Sequence, residues 1–277
     1  MEVMKVSGDG WGPTAEQLTD WEQRGFFILP GFWTPASCEA MLDRAVEIAR
    51  AAGESGVADG AIAESGVVDG AIVHPENNLL EIAGSNQAPE AAVSKIFRLA
   101  RDPLFHEFAT TPELVAIVRS LLSPAIDCFL SQFIFKNPGA WGQPWHQDSY
   151  YFPFDRTPQV GVWLAVTEAT LENGCLHVMP GSHREPVHEH VPDSRPGANR
   201  GYVEITGHDT DAAVSVTMRP GDLLIFHSHL MHRSTDNRSD QIRAAMVYHY
   251  AERGTTDQSE HPAIINDWMA ISDQVNS

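Results

Sequence analysis

The sequence predicts a mainly β fold with flanking helices, in which an amino-terminal helical part packs outside an antiparallel β-core. Three observations carry this reading. Apolar residues recur at helical spacings up to about residue 124. From about residue 125 they alternate with period two, among β-branched and aromatic side chains. Turn signals at Asn137-Pro138-Gly139, Glu172-Asn173-Gly174, Pro180-Gly181-Ser182 and Pro220-Gly221-Asp222 then cut that region into short strands. Short strands joined by tight turns suit a jelly-roll-like sandwich or barrel better than alternating strand and helix units.

In the first part, Thr14 to Arg24 is polar and amphipathic, and Phe26 to Leu29 is an apolar run. Pro35 stands where a first helical turn tolerates it and opens a helix carrying Met41, Leu42, Ala45, Val46 and Ile48 inward. Two further helices are expected, at Ala91 to Arg101 and Pro112 to Leu122; the second carries Leu114, Ile117, Val118 and Leu121 at spacings of three and four. The expected strands are Ile126 to Lys136, Val160 to Val166, Cys175 to Met179, Leu223 to Phe226 and Arg243 to Tyr250. No composition shift marks a linker, so one domain is expected over 1–277: a helical part at about 14–124, a core at about 125–252 and a tail at 253–277. A near-perfect tandem repeat, Glu54 to Ile62 recurring as Glu64 to Ile72, is too short for a solenoid. It reads as a local duplication in an exposed Gly-rich loop, or as a lid near a site mouth.

With 277 residues and 43% hydrophobic side chains the chain can bury a large core. Its 18 Lys and Arg against 37 Asp and Glu leave a net charge of -19, which repels phosphate backbones and anionic lipid. No nucleic-acid or membrane partner is therefore expected, and the oligomeric state stays open. Cys38, Cys128 and Cys175 are odd in number and lack CxxC spacing, so they read as buried, reduced thiols. Without a leader-like amino terminus or a spanning apolar run, the expected location is cytoplasmic.

Thirteen histidines invite a metal reading. Three pairs place an imidazole and a carboxylate two residues apart: His146/Asp148, His74/Glu76 and His183/Glu185. On a strand such a pair shares a face and can reach one metal. A second cluster, Gly221 to Ser234, adds His227, His229 and His232 after a tight turn, with Arg243 beyond. Two histidines and one carboxylate leave open positions on octahedral iron(II), as an oxygenase needs, whereas zinc favours a closed tetrahedron or a single water.

Roughly residues 14 to 250 resemble the phytanoyl-CoA dioxygenase family of iron(II)/2-oxoglutarate oxygenases. The carriers are Ser131 to Lys136, Pro144 to Asp148, Val162 to Val166, Glu172 to His183, and Gly221 through Ser234 with Arg243, in matching order and spacing. The resemblance implies a double-stranded β-helix (jelly-roll, cupin-like) core and three cofactors or cosubstrates: Fe(II), 2-oxoglutarate and O2. It implies His146, Asp148 and His232 as iron ligands, Arg243 on the distal carboxylate of 2-oxoglutarate, and Ser234, Lys95 and Trp163 as further cosubstrate contacts. A planar, permanently charged guanidinium suits that anchoring task. Within the second cluster, His232 rather than His227 or His229 sits in the family's His-x-Ser pattern; His183 reads as part of a turn, and His74, His188 and His190 as loop residues.

Strand alternation puts Gln132 on the inward face with Leu130, Ile134 and Lys136, either as a satisfied buried amide or as a cosubstrate or substrate contact. Arg243, Ala245, Val247 and His249 share a face on the last strand. Trp141, Trp145, Tyr150, Tyr151 and Phe152 flank the His146 motif and read equally as pocket lining or core. The implied activity is hydroxylation of an unactivated carbon of a small or medium-sized metabolite, with decarboxylation of 2-oxoglutarate to succinate. Desaturation, cyclisation or epoxidation by the same cofactors, and a catalytically silent binding jelly roll, stay open as alternatives. Asp148 argues against halogenation, since halogenating relatives carry a small residue there.

Overall fold

The computed structural model describes residues 12–53, 66–80, 88–199, 201–260 and 263–271. Helix α1 (Ala15–Arg24) starts from a capping box in which Thr14 Oγ1 accepts from the Gln17 amide and Gln17 Oε1 accepts from the Thr14 amide. It stops at Gly25, in the left-handed region, and the chain turns straight into β1 (Phe26–Leu29). Helix α2 (Pro35–Ala52) is capped by Thr34, has Pro35 in its first turn, and buries Cys38, Met41, Ala45 and Ile48 on one stripe. A hairpin of β2 (Gly66–Val68) and β3 (Ala71–Pro75) follows, then α3 (Asn77–Leu80), β4 (Val93–Phe97), α4 (Pro103–Ala109) and α5 (Pro112–Leu121). The remaining elements are β5 (Ile126–Lys136), α6 (Asp148–Tyr151), β6 (Val160–Ala165), β7 (Leu176–Val178), β8 (Val191–Pro192), β9 (Val203–Glu204), β10 (Val214–Val216), β11 (Leu223–His227), β12 (His232–Ser234), β13 (Arg243–Glu252) and β14 (Met269–Ala270).

Among the described residues every strand pairing is antiparallel. A nine-stranded sheet runs β1-β11-β6-β13-β5-β4-β3-β2, with β14 added along β5; β10-β7-β12 form a second sheet and β8-β9 a small ribbon. One face of the large sheet packs against α2, α4 and α5 through Met41, Phe105, Phe108, Phe133, Phe135, Met246 and Tyr248. Its other face meets the small sheet through Trp163, Ala165, Phe226, Leu176, Val178 and Val247. Because side chains alternate along a strand, β5 and β13 serve both layers: apolar rings go to the helices, and Gln132, Lys136, Arg243 and His249 go between the sheets. This is the expected jelly roll with helices outside it. The three cysteines are buried and free, and no described helix is long and apolar enough to cross a membrane.

The amino-terminal part is less helical than its sequence suggests. Val93–Phe97, expected within a helix over Ala91 to Arg101, is a strand in register with β5, Lys95 opposite Ile134. The segment has buried side chains on both faces, so its period is ambiguous, and pairing with a long neighbouring strand decides it. Phe26–Leu29 likewise pairs with β11. Most of the second copy of the repeat is no loop: it forms the β2-β3 hairpin, whose turn residues Asp69 and Gly70 have φ of 49° and 85°, as a tight primed turn requires. The first copy lies outside the described residues. In the carboxy-terminal stretch, β14 pairs with β5, and Trp268 packs on Phe129.

Candidate active site

His146 and His232 are brought together by a reciprocal backbone pair: the His146 amide donates to the His232 carbonyl at 2.9 Å, and the His232 amide to the His146 carbonyl at 3.0 Å. Their rings lie 4.1 Å apart, centroid to centroid. Asp148 does not continue the strand, as a shared strand face would require. It opens α6, and its carboxylate is aimed by His249 on β13, whose Nε2 lies 2.8 Å from Asp148 Oδ2. The other carboxylate oxygen, Oδ1, is left 3.7 Å from His146 Nε2 and 3.6 Å from His232 Nε2. All three donor atoms fall within 4.8 Å of one another.

Both imidazoles are oriented from behind. Nδ1 of His146 donates to the Pro144 carbonyl at 2.8 Å and Nδ1 of His232 to the Leu230 carbonyl at 2.9 Å, which leaves each Nε2 with its lone pair facing inward. Gln143 Nε2, 3.1 Å from His146 Nε2, donates to that lone pair. Burial, reinforced by His232, pushes His146 well below the usual histidine range, so it is neutral and able to ligate. Burial alone would raise Asp148, but His232, His249 and His146 hold it well below the usual carboxylate range. Phe226 packs edge-on against His232 and reaches it over Gly161, where a Cβ would stand 2.2 Å from the phenyl ring.

Deeper between the sheets, Arg243 begins β13 opposite Lys136 of β5 and is only 2% exposed. Its Nε and Nη1 have no hydrogen-bond partner, and its guanidinium carbon lies 5.5 Å from the Trp163 ring centroid. Burial lowers its pKa to about 10, so it keeps its charge at neutral pH. A buried, half-unsatisfied cation is costly unless an anion completes it. Lys136, by contrast, donates to the Trp141 and Thr235 carbonyls and to Ser234 Oγ. Ser234 Oγ also accepts from the Gln143 amide, which leaves its own proton free for another acceptor.

All the site residues expected from sequence border one cavity of about 740 Å³: His146, Asp148, His232, Ser234, Arg243, Lys95, Trp163 and Gln132. Trp141, Tyr151 and Phe152 also line it; Trp145 and Tyr150 do not. Sequence reasoning passed over His249, Lys136 and Gln143 as functional groups, and set aside His74 and Glu76, which border the cavity too. His74 is a strand residue of β3 rather than a loop residue. The signal for His249 was present, since it shares the alternation of Arg243 along one strand.

The residues fit iron and 2-oxoglutarate. Three converging donors with open space before them suit an octahedral ferrous ion, and a buried guanidinium with two unpartnered nitrogens suits a dicarboxylate. A double-stranded β-helix carrying this triad in front of a buried arginine defines an iron(II)/2-oxoglutarate oxygenase. Comparison narrows the class. The family model for phytanoyl-CoA dioxygenase (PhyH) matches residues 21–245. Phytanoyl-CoA dioxygenase domain-containing protein 1 of Rattus norvegicus is 30% identical over 270 residues, covering 87% of this chain and 90% of the relative. The peroxisomal phytanoyl-CoA dioxygenase of Bos taurus is 33% identical over 170 residues, 59% of this chain and 50% of the relative. In fold, the chain is similar to EctD from S. alaskensis with bound Fe (TM-score 0.66, 20% identity, 95% and 86% of the two chains). It is also similar to the epimerase SnoN in complex with Fe3+, alpha ketoglutarate and nogalamycin RO (TM-score 0.63, 17% identity, 91% and 88%). The chain belongs to the phytanoyl-CoA dioxygenase family, and is an enzyme whose cofactor and cosubstrate are iron and 2-oxoglutarate.

Proposed function

We propose that this enzyme hydroxylates an unactivated carbon of a small or medium-sized metabolite, coupled to decarboxylation of 2-oxoglutarate to succinate and carbon dioxide. The observation that carries the reading is a facial triad and an anion-seeking arginine bordering the same cavity. When bound, iron and 2-oxoglutarate supply the oxidising chemistry by activating dioxygen. The chain supplies placement. His146 Nε2, His232 Nε2 and Asp148 Oδ1 hold the metal, and Arg243 binds the distal carboxylate of 2-oxoglutarate through the N–H groups that have no other partner. Ser234 adds its free hydroxyl proton there, and Trp163 backs the guanidinium with its ring. Lys95, whose Nζ lies 3.3 Å from Gln143 Oε1, positions the amide next to His146.

The substrate end is amphipathic. Phe97, Ile265 and Tyr151 line the cavity together with Glu76, Lys95 and Asn199. Glu76 is 3% exposed, accepts from Asn199 Nδ2, and is raised above the usual carboxylate range by burial. Such a wall suits a metabolite with an apolar body and a polar or cationic handle. Two relatives are named for phytanoyl-CoA, but no segment here resembles a dedicated coenzyme A site, which favours a smaller substrate.

The test has two stages. Anaerobic addition of Fe(II) and 2-oxoglutarate to the full-length chain is expected to produce the metal-to-ligand charge-transfer band of a chelated keto acid; its absence from pure protein would make this a silent binding protein. Succinate release is then screened across a metabolite library, and the coupled product is identified by its mass: a gain of one oxygen means hydroxylation, and a loss of two hydrogens means desaturation or ring closure.

A further inference from the structure

A second group of metal-binding side chains lies outside the cavity. Glu185 follows the short turn after β7, His188 lies three residues on, and His208 comes from the segment after β9. His188 Nε2 is 2.9 Å and His208 Nε2 3.3 Å from the same Glu185 oxygen, Oε2, and the two rings are 4.8 Å apart. The three donor atoms, like those of the buried triad, lie within 4.8 Å of one another. His208 Nε2 is shielded from solvent yet makes no hydrogen bond, so one imidazole nitrogen is aimed at a carboxylate with no proton-sharing geometry to explain it. Glu189 lines a recess of about 240 Å³ together with His188 and His208.

The two segments that supply these ligands are held by backbone, and both are held on the His146 motif. The Ile205 amide donates to the Trp145 carbonyl at 2.8 Å. Gln147, fully buried between His146 and Asp148, accepts from the His188 amide at 2.8 Å and donates to the Pro186 carbonyl at 3.2 Å. The His188 carbonyl is in turn fixed by His190 Nδ1 at 2.9 Å, and His190 Nε2 accepts from the Gln147 amide. The ligands therefore stand on a framework set from both sides of His146.

We propose that Glu185, His188 and His208 form a second divalent-metal site, of zinc type, that staples the 185–190 and 205–208 segments across the outer side of the iron motif. Two imidazoles and one carboxylate, partly exposed and with room for water as a fourth ligand, match the borderline N/O preference of Zn(II). Oxygen-seeking Mg(II) or Ca(II) would find too few oxygen donors here.

The site is tested by calorimetric titration of Zn(II) into the full-length, metal-free chain. Wild type is expected to take up two equivalents, one at each cluster. H188A/H208A is expected to take up one, and E185Q, a surface change that keeps the shape of the side chain, to bind the second equivalent at least about tenfold more weakly, since outer partners of a metal alone are worth that much. H146A/H232A keeps one equivalent, so failure of the buried triad and failure of this cluster are read separately. X-ray absorption of zinc-loaded H146A/H232A is expected to show imidazole ligands at about 2.0–2.1 Å. Full uptake of two equivalents by H188A/H208A and unchanged affinity in E185Q would overturn the proposal, as would zinc uptake by wild type that vanishes in H146A/H232A.

Discussion

Two groups of histidines sit within a few residues of each other on the β11-β12 segment and differ in what surrounds them. His232 meets His146 and a carboxylate, with each Nδ1 pinned to a backbone carbonyl and each Nε2 turned toward Asp148 Oδ1. His227 stands among other rings: Trp21 at 5.5 Å, His183 at 5.2 Å and His229 at 5.2 Å. Its Nδ1 is already taken by the His229 amide, and His183 Nε2 lies 3.2 Å from the Glu22 carbonyl. Nearness of imidazoles is thus not enough to make a site. A buried metal needs a compensating negative charge and imidazole nitrogens turned toward one point, and of these two groups the His232 one brings both.

The largest effect that should follow is at the triad: His232→Ala abolishes substrate-coupled succinate release, while His227→Ala leaves turnover within a few-fold of wild type. Retained activity in His232→Ala would move the ligand to the other group. Next, Arg243→Ala weakens 2-oxoglutarate binding by about 2–5 kcal/mol, the cost of truncating one partner of a buried charge pair, with iron affinity unchanged. Isothermal titration of each ligand separates the two, and parallel losses of both would mean that the arginine is structural. His249→Phe is expected to lower iron affinity about 10–100-fold, measured by chelator competition, because Asp148 loses the partner that turns Oδ1 inward. Equal iron affinity would show that α6 alone aims the carboxylate. Gly161→Ala places a methyl against Phe226, and a loss of about 1–3 kcal/mol in denaturant unfolding is expected.

A pH-dependent difference in stability gives the finest test. Burial, with His229 and His183 adding to it, pushes His227 down to about 3, against about 6.5 for an unfolded histidine. Between those values the unfolded chain binds the extra proton, so stability is complete above about pH 6.5 and falls as the solution is acidified toward 3. Melting temperatures of wild type and His227→Gln at pH 7 and pH 5 should therefore diverge, with the variant losing less on acidification. Identical slopes would mean that the ring is solvated in the folded state.

Some of this molecule was legible in its residues. The strand expected at Ile126 to Lys136 has those ends, because eleven residues rich in aromatic and apolar side chains run from just after Pro124 up to the turn signal at Asn137. Thr14, Thr34 and the prolines at 35 and 112 marked helix starts by local chemistry. The order of His146, Asp148, His232 and Arg243, in register with a known family, carried the residues of the site, since those groups must reappear wherever the same cosubstrate is held.

Other features were decided only by tertiary structure. Val93–Phe97 became a strand because β5 offered an unpaired edge beside it, a partner beyond the reach of any local window. Asp148 reaches the two imidazoles from a helix start, held by a histidine from β13, and the Glu185, His188 and His208 donors meet between two loops that are anchored on the residues flanking His146. The division has one physical cause. Periodicity, caps and motif order are properties of neighbours along the chain, whereas convergence of side chains from distant strands depends on register and packing, which exist only once the sheets have formed.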